Sequence, residues 1–255
     1  MKLKKFQTFA VSLLPHEVML LNRVKQFQDD DRNHIFDALY HNVLYAESLK
    51  DYDPTIDKRK YSHLMNWMQS KLDGFCTDGY YERLNYFDIR IKTDTISSDE
   101  EKELLQLIKH YEPHHFHFLR FYEVVKNYLM FLLVRVRLND YGLIHKFIHD
   151  YHDDYARSKE VSNRMTQATV DIVTDYHNLM ISQNSVKWIS WLTRLWGDAS
   201  LDGYNRYQIL ILLSYVALLK NDSLEEVLGY YQELEAQLID GSYYSKKLLL
   251  NYYGN

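Results

Sequence analysis

Apolar residues in the middle of the chain recur at helical spacing on both sides of short polar turns. Leu129, Leu132, Leu133 and Val136 lead into Asn139-Asp140, and Ile144, Phe147, Ile148 and Tyr151 follow. The same slots 44 positions later hold Val173, Tyr176, His177 and Met180, then Trp188, Trp191, Leu192 and Leu195. Shifted by 83 they hold Leu212, Tyr215, Val216 and Leu219, then Val227, Tyr230, Tyr231 and Leu234. Only His177 breaks the apolar rule. Residues three and four apart share one face of a helix. The pattern therefore predicts helix–turn–helix units whose apolar faces stack on one another. Asp140, Asn184 and Ser223 stand where the N-caps of the second helices are expected.

Helical spacing extends upstream. Val18, Leu21, Val24 and Phe27 predict a helix that Pro15 opens, with Ser12 as its cap. Ile35, Leu39, Val43 and Leu44 predict a second, started by the acids Asp29-Asp30-Asp31. Leu64, Trp67, Met68 and Leu72 predict a third, and Tyr81, Leu84, Phe87 and Ile91 a fourth. Ser98 with Asp99, Glu100 and Glu101 reads as a strong helix start, and Pro113 as that helix's end. From about His115 to Leu138 the chain is apolar almost all round, which predicts a central helix. The polar stretch 94–98 is the best linker. The expected organisation is an irregular helical part over 1–97 and a hairpin region over 98–255, closed by a capping helix over 243–253.

Composition strengthens this reading. The 255 residues include only 8 Gly and 3 Pro, where average usage gives about 30 of the two together. Sheet proteins need those residues for their tight turns, so the expected class is all-α: stacked antiparallel helical hairpins. The net charge of −5 argues against nucleic acid as a ligand, because phosphate neutralisation needs a basic surface. Cys76 is the only cysteine; it fits a reducing, cytoplasmic setting and excludes a cysteine-built zinc site. The apolar stretches 128–134 and 209–219 fall short of a membrane span. Lys2, Lys4 and Lys5 before 6–14 faintly imitate a secretion signal, but Gln7, Thr8 and Ser12 interrupt the stretch and no small-residue cleavage site follows.

The segments 128–155 and 212–238 resemble tetratricopeptide-type helix hairpins. The turns Leu138-Asn139-Asp140-Tyr141 and Lys220-Asn221-Asp222-Ser223 are similar to the turn between that family's two helices. The family's small residue early in the second helix is replaced by Ile144, Trp188 and Val227, and the spacing exceeds the family's 34 residues. The resemblance implies a surface that binds a peptide or another protein, and no catalytic residues.

Several side-chain groups bear on chemistry. His145, His149 and His152, with Asp153, fall within a sector of about 60° if one helix carries them, a spacing that suits zinc. The same residues also read as a solvated polar stripe. His110, His114, His115 and His117 surround Pro113, without a nucleophile beside them; helix capping accounts for such residues. Trp188 and Trp191 occupy repeat slots and read as core. Trp196 lies outside the register and reads as a surface anchor for a partner, together with Tyr204 and Tyr207. No phosphate loop, nucleophile elbow or Glu-x-x-His pair is present. The expectation is a non-enzymatic, tyrosine-rich scaffold that binds a protein or peptide, or a homo-oligomer with itself. A metal-dependent enzyme built on the histidines is the alternative.

Overall fold

A computed structural model describes residues 3–111, 115–198, 200–220 and 225–254. The described residues form thirteen helices and no strand. The expected cap Ser223, the turn at Asn221-Asp222, the helix stop Pro113 and His114 lie outside the described residues. No helix among them is long and apolar enough to cross a membrane.

The chain divides into two compact units, residues 1–79 with 234–255, and residues 80–233. Ser98 therefore does not open a unit, and the last helices belong with the first. The first unit contains α1 (Lys4–Val11), α2 (Pro15–Val24), α3 (Asp30–Leu44) and α4 (Lys58–Phe75), which pack on one another. Val18, Leu20, Leu21, Phe36, Leu39 and Met68 are fully enclosed there. Asp29 caps α3 by accepting from the Asp31 and Arg32 amides at 3.0 and 3.3 Å, as the acid run predicts. Ser12 does not cap α2; its hydroxyl turns back to the Phe9 carbonyl at 2.7 Å. Glu17 instead serves α2, accepting from the Leu14 amide at 2.7 Å. The closing helix α13 (Lys246–Gly254) returns to this unit. The Tyr244 hydroxyl just before it donates to Glu17 at 2.7 Å, across 227 positions of sequence.

The second unit takes in most of α5 (Thr77–Lys92), α6 (Ser98–Lys109), α7 (Phe118–Val134), α8 (Tyr141–Asp150), α9 (His152–His177), α10 (Gln183–Trp196) and α11 (Gly203–Lys220). The remaining helix, α12 (Glu225–Asp240), begins here and ends in the first unit. Helix α7 is central as expected, with Phe121, Val124, Val125, Tyr128 and Leu132 enclosed among Leu84, Phe87, Leu104 and Ile144. The cap of α6 is Ser97 rather than Ser98, because the Ser97 hydroxyl reaches the Glu100 amide while Glu100 accepts from the Ser97 amide at 2.7 Å. The Ser97 amide first, and then the Tyr86 hydroxyl, hold the Glu100 carboxyl down at about 2. Helix α10 is entered from Ser182, so Asn184 lies inside it. Asp140 stands at the entry of α8 without a side-chain capping bond.

The repeat slots hold only in part. Ile144, Phe147, Trp188, Trp191, Leu192, Leu212 and Val216 are buried, but Val136, Val173, Tyr176 and Met180 are exposed. Helix α9 turns Val161, Met165, Ala168 and Ile172 inward instead, an equally regular stripe at helical spacing. Helix α7 also stops earlier than predicted. Val136 takes a left-handed φ of 56°, and Arg137 and Val136 donate their amides to the Leu132 and Leu133 carbonyls at 3.0 and 3.1 Å. That pair of bonds is a helix stop normally signalled by Gly. Leu179, at φ 52°, ends α9 in the same way.

Candidate functional site

The second unit gathers aromatic side chains at the start of α11, beside the segment that enters α7. The first four amides of a helix lack partners inside it. At α11 the Asp202 carboxylate accepts from the Asn205 amide at 3.1 Å, and the Tyr204 amide donates to the Phe116 carbonyl at 3.0 Å. The Asn205 side chain donates to Asp202 at 2.6 Å and to the Ser158 carbonyl of α9 at 3.1 Å. Asp202, Asn205 and Ser158 are all buried. Burial pushes the Asp202 carboxyl up, against the bonds it accepts. This buried polar node fixes where Tyr204 and Tyr207 begin.

Above it lies a row of rings drawn from three segments. Tyr81 of α5 sits 4.8 Å from His117, and His117 sits 6.2 Å from Tyr204, centre to centre. Tyr81 and Tyr204 are 41% and 43% exposed. Phe116, itself buried, meets the Tyr204 ring edge-on at 6.0 Å and the Tyr207 ring at 6.4 Å. Beside the row, Tyr80 packs 4.3 Å from His115. Burial, and then His117, press the His115 imidazole down to about 4, so it is uncharged at neutral pH. Burial alone pushes the Tyr80 phenol up. Phe116 backs the Tyr204 end of the row. The two exposed tyrosines offer ring surface for apolar and π contacts and hydroxyls for hydrogen bonds.

Tyr204 and Tyr207 come together around Phe116. Trp196 does not reach the surface: it is 4% exposed, donates its indole N–H to Glu233 at 2.7 Å, and packs against Tyr230 and Arg206. The surface-anchor reading of Trp196 is thus corrected to core. Its register failed as a guide because α10 carries Trp196 one turn past Leu192, on the same apolar face. His145 and His149 lie on α8, whereas His152 and Asp153 open α9 after a break at Tyr151. The one-helix geometry assumed for them does not form, and all four are exposed. Among the described residues no group of three or more His, Cys, Asp or Glu side chains could hold a metal ion. His110 caps α6, its ring nitrogen 3.0 Å from the Gln106 carbonyl. Sequence reasoning missed Tyr81 and His117 as members of the row; no local spacing links positions so far apart.

The first unit holds a cavity of about 560 Å³ lined mainly by apolar side chains, among them Ala10, Leu13, Val43 and Leu49. One of its polar members, Asn42, is bonded in both directions to the Lys50 backbone at 2.6 and 2.9 Å, so it is occupied in pinning the loop. No protein-family model, curated protein or solved structure matches this chain.

Proposed function

We propose that this chain is a helical interaction protein that binds a peptide segment of a partner protein along the row Tyr81–His117–Tyr204. The carrying observation is the pair of exposed tyrosines on α5 and α11, both near one imidazole, with Phe116 packed against that imidazole and Tyr204. Aromatic rows of this kind dock extended peptides, proline-rich ones above all, because a ring face accepts a proline or an aliphatic chain at little entropic cost. The overall charge of −5 favours an uncharged or weakly basic segment over an acidic one. In this reading α7 with α8 and α10 with α11, which pack in pairs, are hairpins of the tetratricopeptide kind, stacked through α9. A cytoplasmic setting agrees with the single cysteine.

The test is selection of peptides from a random displayed library on the full chain, followed by affinity measurement on the recovered peptides. Tyr204→Ala and Tyr81→Ala should each weaken binding about tenfold or more, the loss of roughly 1.4 kcal/mol typical of an aromatic anchor. Selected peptides that bind both variants as well as the parent chain would refute the assignment of the surface.

A further inference from the structure

We propose that Tyr253, His16 and Glu235 form a nucleophile–base–acid relay that makes Tyr253 an acceptor for acyl groups carried on activated esters. All three lie in the first unit. The Tyr253 hydroxyl stands 2.5 Å from His16 Nδ1, and His16 Nε2 stands 3.3 Å from the Glu235 carboxylate. A carboxylate can only accept, so Nε2 carries the ring hydrogen and Nδ1 is free to take the phenol's proton. The order of groups, hydroxyl to imidazole to carboxylate, is that of an activated nucleophile.

The surroundings favour the step. His16 is 4% exposed, walled edge-on by the Tyr252 ring at 4.8 Å, while Tyr253 is 43% exposed. The base is thus sheltered and the nucleophile accessible. Burial lowers the imidazole, keeping it uncharged and able to accept a proton at neutral pH, although Glu235 opposes this. Burial also raises the Tyr253 phenol, so it stays protonated and gains from a base. The His16 amide, in the first turn of α2, donates to the same hydroxyl at 3.3 Å, which stabilises negative charge as it develops there.

In the reaction the Tyr253 oxygen attacks the acyl carbon and an O–C bond forms. The bond from that carbon to the ester's leaving oxygen breaks, and the leaving group departs with the electron pair. The phenol's proton passes to Nδ1 and from there to the leaving group. The product is an aryl ester on Tyr253. This inference is independent of the peptide surface, which lies in the other unit.

The test uses the full chain and p-nitrophenyl acetate, with acetyl-tyrosine mapped by peptide mass spectrometry. Tyr253 should acetylate about a hundredfold faster than Tyr45, although Tyr45 is more exposed at 59%. His16→Gln should bring Tyr253 down to the Tyr45 rate, and Glu235→Gln should slow it by a smaller factor. In the parent chain the Tyr253 rate should rise as His16 loses its proton and level off by about pH 7, not climb towards the ordinary phenol value near 10. The parent-chain comparison and pH profile decide the matter even where His16→Gln does not fold. Acetylation of Tyr253 no faster than that of Tyr45, or a rate that climbs with phenol ionisation alone, would overturn the proposal.

Discussion

Acidification should loosen the second unit through His115. The folded imidazole titrates at about 4, against 6.5 for the ordinary value. Between those two values the unfolded chain binds a proton that the folded chain refuses. Stability therefore rises with pH across the window; the contribution is complete above 6.5 and is lost as pH falls towards 4. At about 1.4 kcal/mol per pH decade the whole window is worth roughly 3 kcal/mol, and the fall from 6.5 to 5 roughly 2 kcal/mol. Burial is the larger cause, and His117 the smaller. The Tyr80 ring lies 4.3 Å from the imidazole, and His115 Nδ1 already accepts the His117 amide at 3.2 Å, a bond that protonation at Nδ1 would abolish. The assay is urea unfolding of the parent chain and of His115→Gln at pH 7 and pH 5. His16 and the carboxylates titrate in both proteins, so the difference between the two pH responses isolates His115. The parent should lose roughly 2 kcal/mol more than the variant over this interval. Parallel losses in the two proteins, or a His115 ring resonance that titrates above 6, would refute the argument.

Glu101 is 8% exposed, takes both Arg137 guanidinium nitrogens and accepts the Tyr128 hydroxyl at 3.1 Å. Because Arg137 is 44% exposed, Glu101→Gln should cost about 2 kcal/mol rather than the larger penalty of a fully buried pair, a drop of about 4–8 °C in melting temperature; an unchanged melt would show the pair to be idle. Trp196→Ala should cost about 3–5 kcal/mol in urea unfolding, as a core truncation does, whereas a cost under about 0.5 kcal/mol would restore Trp196 to the surface. Gly241 holds φ at +89°, and a Cβ there would stand 2.5 Å from the Phe75 ring; Gly241→Ala should destabilise by more than about 1 kcal/mol, and an equal or higher unfolding midpoint would contradict that conformation.

The helical class was legible because the scarcity of Gly and Pro and the spacing of Leu, Ile and Val both point to it. Helix α7 and the burial of Trp188 and Trp191 were legible for the same reason: local periodicity reports which face is covered. The helix ends were not. The stops of α7 and α9 use Val136 and Leu179 in left-handed backbone, where a reader of sequence looks for Gly. Helix α9 satisfies two apolar stripes at once, and only packing against α7, α10 and α11 selects the one through Met165 and Ala168. The histidine stripe was misplaced because a one-residue break at Tyr151 redirects everything after it. The union of the chain's two ends in one unit was invisible, since Glu17 and Tyr244 carry no mutual signal along the sequence.

The 23 tyrosines acquire a division of labour from these contacts. Tyr128 donates to Glu101, Tyr244 to Glu17, Tyr122 to the Ile148 carbonyl and Tyr61 to the Asp53 carbonyl. In each case a ring fills the core while its hydroxyl satisfies an acceptor on another segment. These four tyrosines tie segments together by side-chain bonds of this type. Tyr81 and Tyr204 depart from this pattern by leaving ring faces in water, which burial alone does not require. Tyr253 departs differently. A carboxylate or carbonyl partner holds a phenol's hydrogen but has no second site through which to hand the charge on. An imidazole has one, and in His16 that second nitrogen already faces a carboxylate. The partner's chemistry, rather than the tyrosine's exposure, separates a tie between helices from a hydroxyl prepared to react.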